Sequence, residues 1–373
     1  MAGPARRRPG RPTALPNAVT DLAISADGRR IATASEDGSA YVLALPGLEI
    51  LATFRHRETV RAVDLNREGT RLATAAEDHA TVYDIDGGVE LCRVVHSAAV
   101  FDVAFSPDGA CVATAGADQT ARVTWLDDGT RPQVLVETPG DVSRVAFSPD
   151  GSAVATAGGR ECVVFDPADG DEIARLAHEH DVCTVAFDPS GARLATVDTR
   201  RTSQVFHVRS GIQLTTVAGH YWFIRGTALA VSRDGQSVAV GYNHGAVFIY
   251  DIEDGTEQAR TYLPGDVAAV AFMTDDERLL IGDTKGHVRI VYRRPHSEIV
   301  RLYMGARVGT VAMCANVEGF LFAAGSDNGN AVLVNGSQTL RSERDGAINA
   351  IGIDAAGRYL AEGGDDGLCL VFD

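Results

Sequence analysis

Residues Val100 to Asp118 read VFDVAFSPDGACVATAGAD: an apolar run, a Pro-Asp-Gly turn, a second apolar run and an aspartate. Pro107 presets φ for a turn and Gly109 takes the place where φ can be positive, so the two runs are expected to pair as antiparallel strands. The stretch returns almost unchanged at Val142 to Gly158, VSRVAFSPDGSAVATAG, and in weaker form down the whole chain. Aligned on the Gly109 position, the copies fall at Gly28, Gly69, Gly109, Gly151, Gly191, Gly235, Asp276, Gly319 and Gly357, spaced 38 to 44 residues apart. That period with strand-like content is the spacing of a four-stranded propeller blade.

Each unit reads as four strands. The first carries Val103 and Phe105, and the second runs from Val112 to Thr114, rich in Ala and Val so that neighbouring sheets can approach. The third follows an Asp or Asn turn, such as Glu36-Asp37-Gly38 or Asp327-Asn328-Gly329, and closes in an aromatic-acid pair at Tyr83-Asp84, Phe165-Asp166, Tyr250-Asp251 and Phe372-Asp373. A further turn, as at Asp169-Gly170, leads to a more polar fourth strand such as Glu172 to Leu176, which suits an outer edge facing solvent.

The pattern V-x-x-V-A-F-S-P-D-G-x-x-x-A-T-A-G-x-D, closed by the aromatic-acid pair, resembles the WD-repeat (WD40) family from about Val19 to Asp373. The resemblance implies an all-β fold, a single β-propeller of four-stranded antiparallel blades. Nine anchors imply about nine blades, while the family most often has seven; seven or eight blades, or an open ring, are the alternatives. Residues 1–12 read as a basic disordered tail and 13–373 as the propeller. Because Phe372-Asp373 ends a third strand, closure of the last blade calls for Thr13 to Leu15 to supply its fourth, between Pro12 and Pro16, which an edge strand tolerates. The family's structural histidine bonds a second-strand hydroxyl and the turn aspartate. By resemblance His96, Thr114 and Asp118 form such a network, with Trp125 offset by one place from the usual tryptophan.

Composition narrows the chemistry. At 373 residues the chain outgrows a single hydrophobic core, which a repeat array solves by adding core with each unit. A formal charge of -16 disfavours nucleic-acid binding, which depends on Lys and Arg. The one basic cluster, Arg6, Arg7, Arg8 and Arg11, reads as a solvated tail. Lys285 is the single lysine, so a G-K-[ST] phosphate loop and a kinase-type strand lysine are excluded. No apolar run approaches the roughly 18 residues of a membrane span. The six cysteines stand singly in apolar runs, as buried thiols do in a reducing compartment, so a cytoplasmic setting without membrane contact is expected.

No catalytic constellation emerges, and neither a metal nor a cofactor is expected. His178-Glu179-His180 has the H-x-H form that can bring two imidazoles to one ion, yet it lies where a structural histidine belongs and lacks a third ligand nearby. The turn aspartates Asp37, Asp118, Asp283, Asp327 and Asp365 recur once per unit, which turn chemistry explains. The main break in the pattern is Gly219-His220-Tyr221-Trp222-Phe223-Ile224-Arg225, where Tyr221, Trp222, Phe223 and Arg225 occupy a loop that in the family borders the central channel. Exposed Tyr, Trp and Arg carry binding energy at interfaces; packing of these aromatics between blades is the other reading. Arg61, Phe101, Arg144 and Asn349 belong at first-strand entries on the same face, although the arginines could instead pair with acidic neighbours. The expected function is a non-catalytic scaffold for a protein or peptide partner, monomeric by itself within a larger complex. The alternatives are a metal-assisted hydrolase or lactonase, which needs three or more Asp, Glu or His converging in the channel, and a sensor subunit for a separate effector.

Overall fold

The structure, a computed structural model, describes the chain from Thr13 to Phe372 apart from residues 15–16, 26, 28, 46–48, 127–130, 189, 200–201, 219–225, 233, 243, 254, 273–276, 286, 294–297, 305–307, 314–320, 336–337, 344, 354–359 and 367. Nine four-stranded antiparallel sheets account for its regular structure. In the unit quoted above the strands are Val100–Phe105, Cys111–Gly116, Thr120–Trp125 and Val134–Glu137, paired in chain order. We number the blades 1 to 9 from the one that begins at Val19–Ile24 to the one that begins at Ile348–Ile353. First strands of successive blades lie side by side, and that of blade 9 lies beside that of blade 1, so the blades form a closed ring around a channel. Blade 9 takes its outer strand from the other end of the chain: Thr13–Ala14 runs antiparallel to Leu368–Phe372, with Thr13 opposite Cys369 and Ala14 opposite Leu368. No helix long and apolar enough to cross a membrane occurs among the described residues.

The core is divided into slices, each trapped between two neighbouring blades. Ala32, Ala34 and Val42 of blade 1 pack with Val60, Val63 and Leu72 of blade 2, and Ala113, Ala115 and Val123 of blade 3 with Val142, Val145 and Val154 of blade 4. Alanine in the second strands lets facing sheets come close, and every slice depends only on its neighbours.

Turn chemistry locks each first strand to its second. The Ser106 hydroxyl donates to Asp108 Oδ1 at 2.6 Å and accepts from Cys111 N at 3.0 Å, while Gly109 holds φ at 68°. Ser148 and Asp150 repeat the arrangement in blade 4. The turns are also tied between blades: Arg30 Nη1 donates to the Gly69 carbonyl at 3.0 Å, Arg71 Nη1 to the Gly109 carbonyl at 3.3 Å, and Arg193 Nη1 to the Gly235 carbonyl.

All nine first strands share one irregularity. Each shifts register after its first residue, as between Val60 and Ala62 or Val100 and Asp102, leaving the second residue in a bulge. A bulge bends the strand and re-aims the side chain it carries.

Candidate functional site

Each first strand enters the blade at one face of the ring, here the entry face, and leaves by its turn at the opposite one, the turn face. The bulges stand at the entry face, and their occupants differ from blade to blade: Thr20, Arg61, Phe101, Ser143, Cys183 and Asn349 among them. Several bond to backbone. Thr20 Oγ1 donates to the Val60 carbonyl at 2.6 Å, and Asn349 Nδ2 donates to the Val19 carbonyl at 2.9 Å and to Asp365 Oδ1 at 2.7 Å, joining blade 9 to blade 1. Arg61 is exposed, with no hydrogen bond or ion pair to any described residue, and Phe101 is half-buried. Arg144, one position further along its strand, lies 3.6 Å from Asp102 with its side chain 63% exposed. Tyr221, Trp222, Phe223 and Arg225 lie outside the described residues.

His96, Thr114 and Asp118 are in mutual contact. His96 Nε2 lies 2.8 Å from Thr114 Oγ1 and Nδ1 lies 2.9 Å from Asp118 Oδ1, with Thr120 Oγ1 donating to the same carboxylate oxygen at 2.6 Å and Ser97 N to the other at 2.9 Å. Burial lowers the His96 pKa although Asp118 opposes it; burial alone would raise Asp118, but its hydrogen bonds hold it well below the usual carboxylate range. We therefore read the pair as a neutral imidazole whose Nδ1–H donates to a carboxylate, a tautomer assigned from the network. Trp125 stays outside it: the indole Nε1 is buried without a hydrogen bond and Arg131 lies over the ring at 4.2 Å.

His178 is likewise structural. Its ring nitrogens contact Thr196 Oγ1 at 2.8 Å and the Leu176 carbonyl at 2.9 Å, which leaves no lone pair for an ion shared with His180. The turn aspartates serve their turns: Asp37 accepts from Ser39 N and the Tyr41 hydroxyl, and the fully buried Asp283 from Gly265 N, Lys285 N and His287 N.

The channel holds a feature that the repeat pattern did not single out. Asp21, Asp64 and Asp102 stand on three successive first strands, and each reaches across to the next blade's backbone: Asp21 Oδ2 accepts from Val63 N at 3.0 Å, Asp64 Oδ2 from Phe105 N at 2.8 Å and Asp102 Oδ2 from Val145 N at 3.1 Å. They do not converge on one point. Among the described residues, the three acid or imidazole groups within reach of a single ion are Glu77, Asp78 and His79, where Glu77 Oε1 already accepts from Arg57 N and Asp78 contacts His79.

Burial pushes the Asp64 and Asp102 carboxyls up to about 6; the charges of Asp21 and Asp102 add to the effect at Asp64, whereas the Arg144 guanidinium opposes it at Asp102. A carboxyl raised in the folded state stabilises the fold fully below its ordinary value near 4, and that contribution is lost as pH rises through about 6. Asp64→Ala, which installs the residue found at Ala23, Ala104 and Ala146 in other blades, should therefore gain on wild type by roughly 2–3 kcal/mol between about pH 4 and about pH 8. Urea unfolding at both pH values checks this; a difference independent of pH would contradict it.

Comparison with known proteins agrees with this architecture. The family described as WD domain, G-beta repeat matches residues 13–42, 90–124 and 129–166. A WD repeat-containing protein of Synechocystis sp. is 30% identical over 125 residues, which is 33% of this chain and 36% of that protein. One of Schizosaccharomyces pombe is 33% identical over 132 residues, 33% of this chain and 21% of that protein. These matches span about a third or less of either relative's own length. Among solved structures, Saccharomyces cerevisiae Sqt1 superposes with a TM-score of 0.72 at 14% identity over 99% of both chains. The computationally designed Ika8 protein does so at 0.67 and 20% identity, over 96% of this chain and 98% of its own. The chain is a β-propeller, and three of its segments match the WD repeat.

Proposed function

We propose that this propeller is a non-catalytic scaffold that holds a protein or peptide partner on its entry face. The carrying observation is the bulge at the second residue of every first strand: the frame is constant, while the side chain it presents changes from blade to blade. Arg61 lacks a protein partner among the described residues, and Arg144 keeps most of its surface open despite Asp102. Together with the Tyr221 to Arg225 loop they would make a basic, aromatic rim on an acidic body, suited to an acidic segment or a carboxylate terminus. The non-catalytic reading is supported by the use of the channel aspartates as acceptors for neighbouring backbone. A reducing, cytoplasmic setting is supported by the cysteines. Cys92, Cys111 and Cys162 are free thiols, and burial pushes Cys111 up to about 11 and Cys162 up to about 12, which makes both inert.

The test uses the full chain as bait in its source cells, beside a variant carrying Arg61→Ala, Arg144→Ala, Trp222→Ala and Arg225→Ala. A specific partner recovered by wild type should be lost from the variant, with the melting transition moved by no more than about 2 °C. Retention of that partner by the variant would overturn the assignment of this face.

A further inference from the structure

The opposite, turn face carries a cleft of about 340 Å³ between the first three blades, lined by Ile24, Asp64, Leu65, Arg67, Phe105, Ser106 and Pro107. Its most unusual member is Asp64. The corresponding residue of the other eight first strands is Ala23, Ala104, Ala146, Ala186, Ala230, Ala271, Ala312 or Gly352, so one blade alone places a carboxylate here.

That carboxylate is held rigidly. Oδ1 accepts from Leu65 N and Oδ2 from Phe105 N, both at 2.8 Å. A carboxylate can accept about four hydrogen bonds, so about half of its capacity remains. No cation of the described chain pairs with Asp64, whereas Asp102 on the next blade has the Arg144 guanidinium at 3.6 Å. Asp21 and Asp102 add further negative charge nearby.

The cleft also contains the opposite charge. Arg67 is exposed and has neither a hydrogen bond nor an ion pair with any described residue. It belongs to the turn Asn66-Arg67-Glu68-Gly69, at a place where blades 3 and 4 have Pro107 and Pro149. Asp64 is anchored by backbone donors, and the two charges do not close on each other. Ile24, Leu65, Phe105 and Pro107 supply apolar wall. A fixed acid, a free guanidinium and an apolar wall in one cleft complement a ligand that has an ammonium, a carboxylate and an apolar body.

We propose that this cleft binds a small apolar zwitterion, a free amino acid or a short peptide, with its ammonium on Asp64 and its carboxylate on Arg67. It is a second site, separate from the entry face, and does not depend on how that face is used. An amine without an acid loses the contact at Arg67, and an acid without an amine faces the Asp64 charge unshielded.

Calorimetric titration of the full chain with leucine, leucylleucine, leucinamide and 4-methylpentanoate tests this. At least one of the two zwitterions should bind saturably and more tightly than either leucinamide or the acid. Asp64→Ala should weaken that binding roughly tenfold or more and remove the advantage over the acid, while Arg67→Ala should remove the advantage over leucinamide. Asp64→Ala introduces the residue that other blades already carry, and circular dichroism would confirm that both variants remain folded. Absence of saturable zwitterion binding would overturn the proposal, as would affinities unchanged by either substitution.

Discussion

Gly245→Ala is expected to destabilise the protein by roughly 3–5 kcal/mol, combining left-handed backbone strain with steric overlap. Gly245 holds φ at 83° in the turn between the second and third strands of blade 6. A Cβ there would overlap the Leu263 carbonyl oxygen and come within 2.7 Å of the Gly265 oxygen. Those carbonyls belong to the segment leading into blade 7, and Leu263 N donates to the Gly245 carbonyl at 2.8 Å, so neither side can withdraw without opening the junction. Gly38 repeats the arrangement in blade 1, with φ at 79° and the His56 oxygen 2.8 Å from the hypothetical Cβ. Gly88 provides the control: its φ is 65° but nothing lies within 4 Å of the added atom, so Gly88→Ala should cost only about 1–2 kcal/mol. Urea unfolding of the two variants separates conformational strain from steric overlap, and equal losses would refute the distinction.

His96→Ala should cost about 3–5 kcal/mol, because it strips a partner from two buried groups at once. The His96 side chain is fully buried and that of Asp118 is 2% exposed, so little water can replace the ring beside Thr114 and Asp118, although the carboxylate keeps Thr120, Ser97 N and the Arg122 guanidinium at 3.2 Å. His178→Ala should cost less, since that ring binds Thr196 and a backbone carbonyl and no carboxylate is left behind. In a double-mutant cycle, His96→Ala and Asp118→Ala should show strong coupling. Additive losses would mean that the hydrogen bonds contribute little beyond packing.

The architecture was legible because the repeat states it: Ser106-Pro107-Asp108-Gly109 marks a turn whose hydroxyl and carboxylate bond as that chemistry requires, and the spacing of its copies sets the blade. The contact of His96 with Thr114 and Asp118 was legible only through a family resemblance, since the three positions span 22 residues without a local signal. Interactions between blades were not legible. Asp64 meets Phe105 N, Arg30 meets the Gly69 carbonyl, and Asn349 meets the Val19 carbonyl 330 residues away only because the ring sets neighbouring first strands at a fixed offset. One signal was present for Asp64, a charged residue in a column otherwise filled by alanine and glycine. Periodicity draws attention to what recurs, and the unpaired charges of the cleft lie where it does not.

Both faces and the channel exist because nine repeats close into one ring through a strand from the N-terminal end, so closure is the claim on which the rest depends. Thr13 lies opposite Cys369 in the antiparallel register, and paired Cα atoms in such a ladder are about 4.5–5.5 Å apart, within the span of a disulfide. In the full-length Thr13→Cys variant, mild oxidation followed by peptide mass spectrometry should recover a reducible link between residues 13 and 369 within one monomer. Free thiols at both positions in the folded monomer, or a link formed only between two chains, would contradict the closed ring.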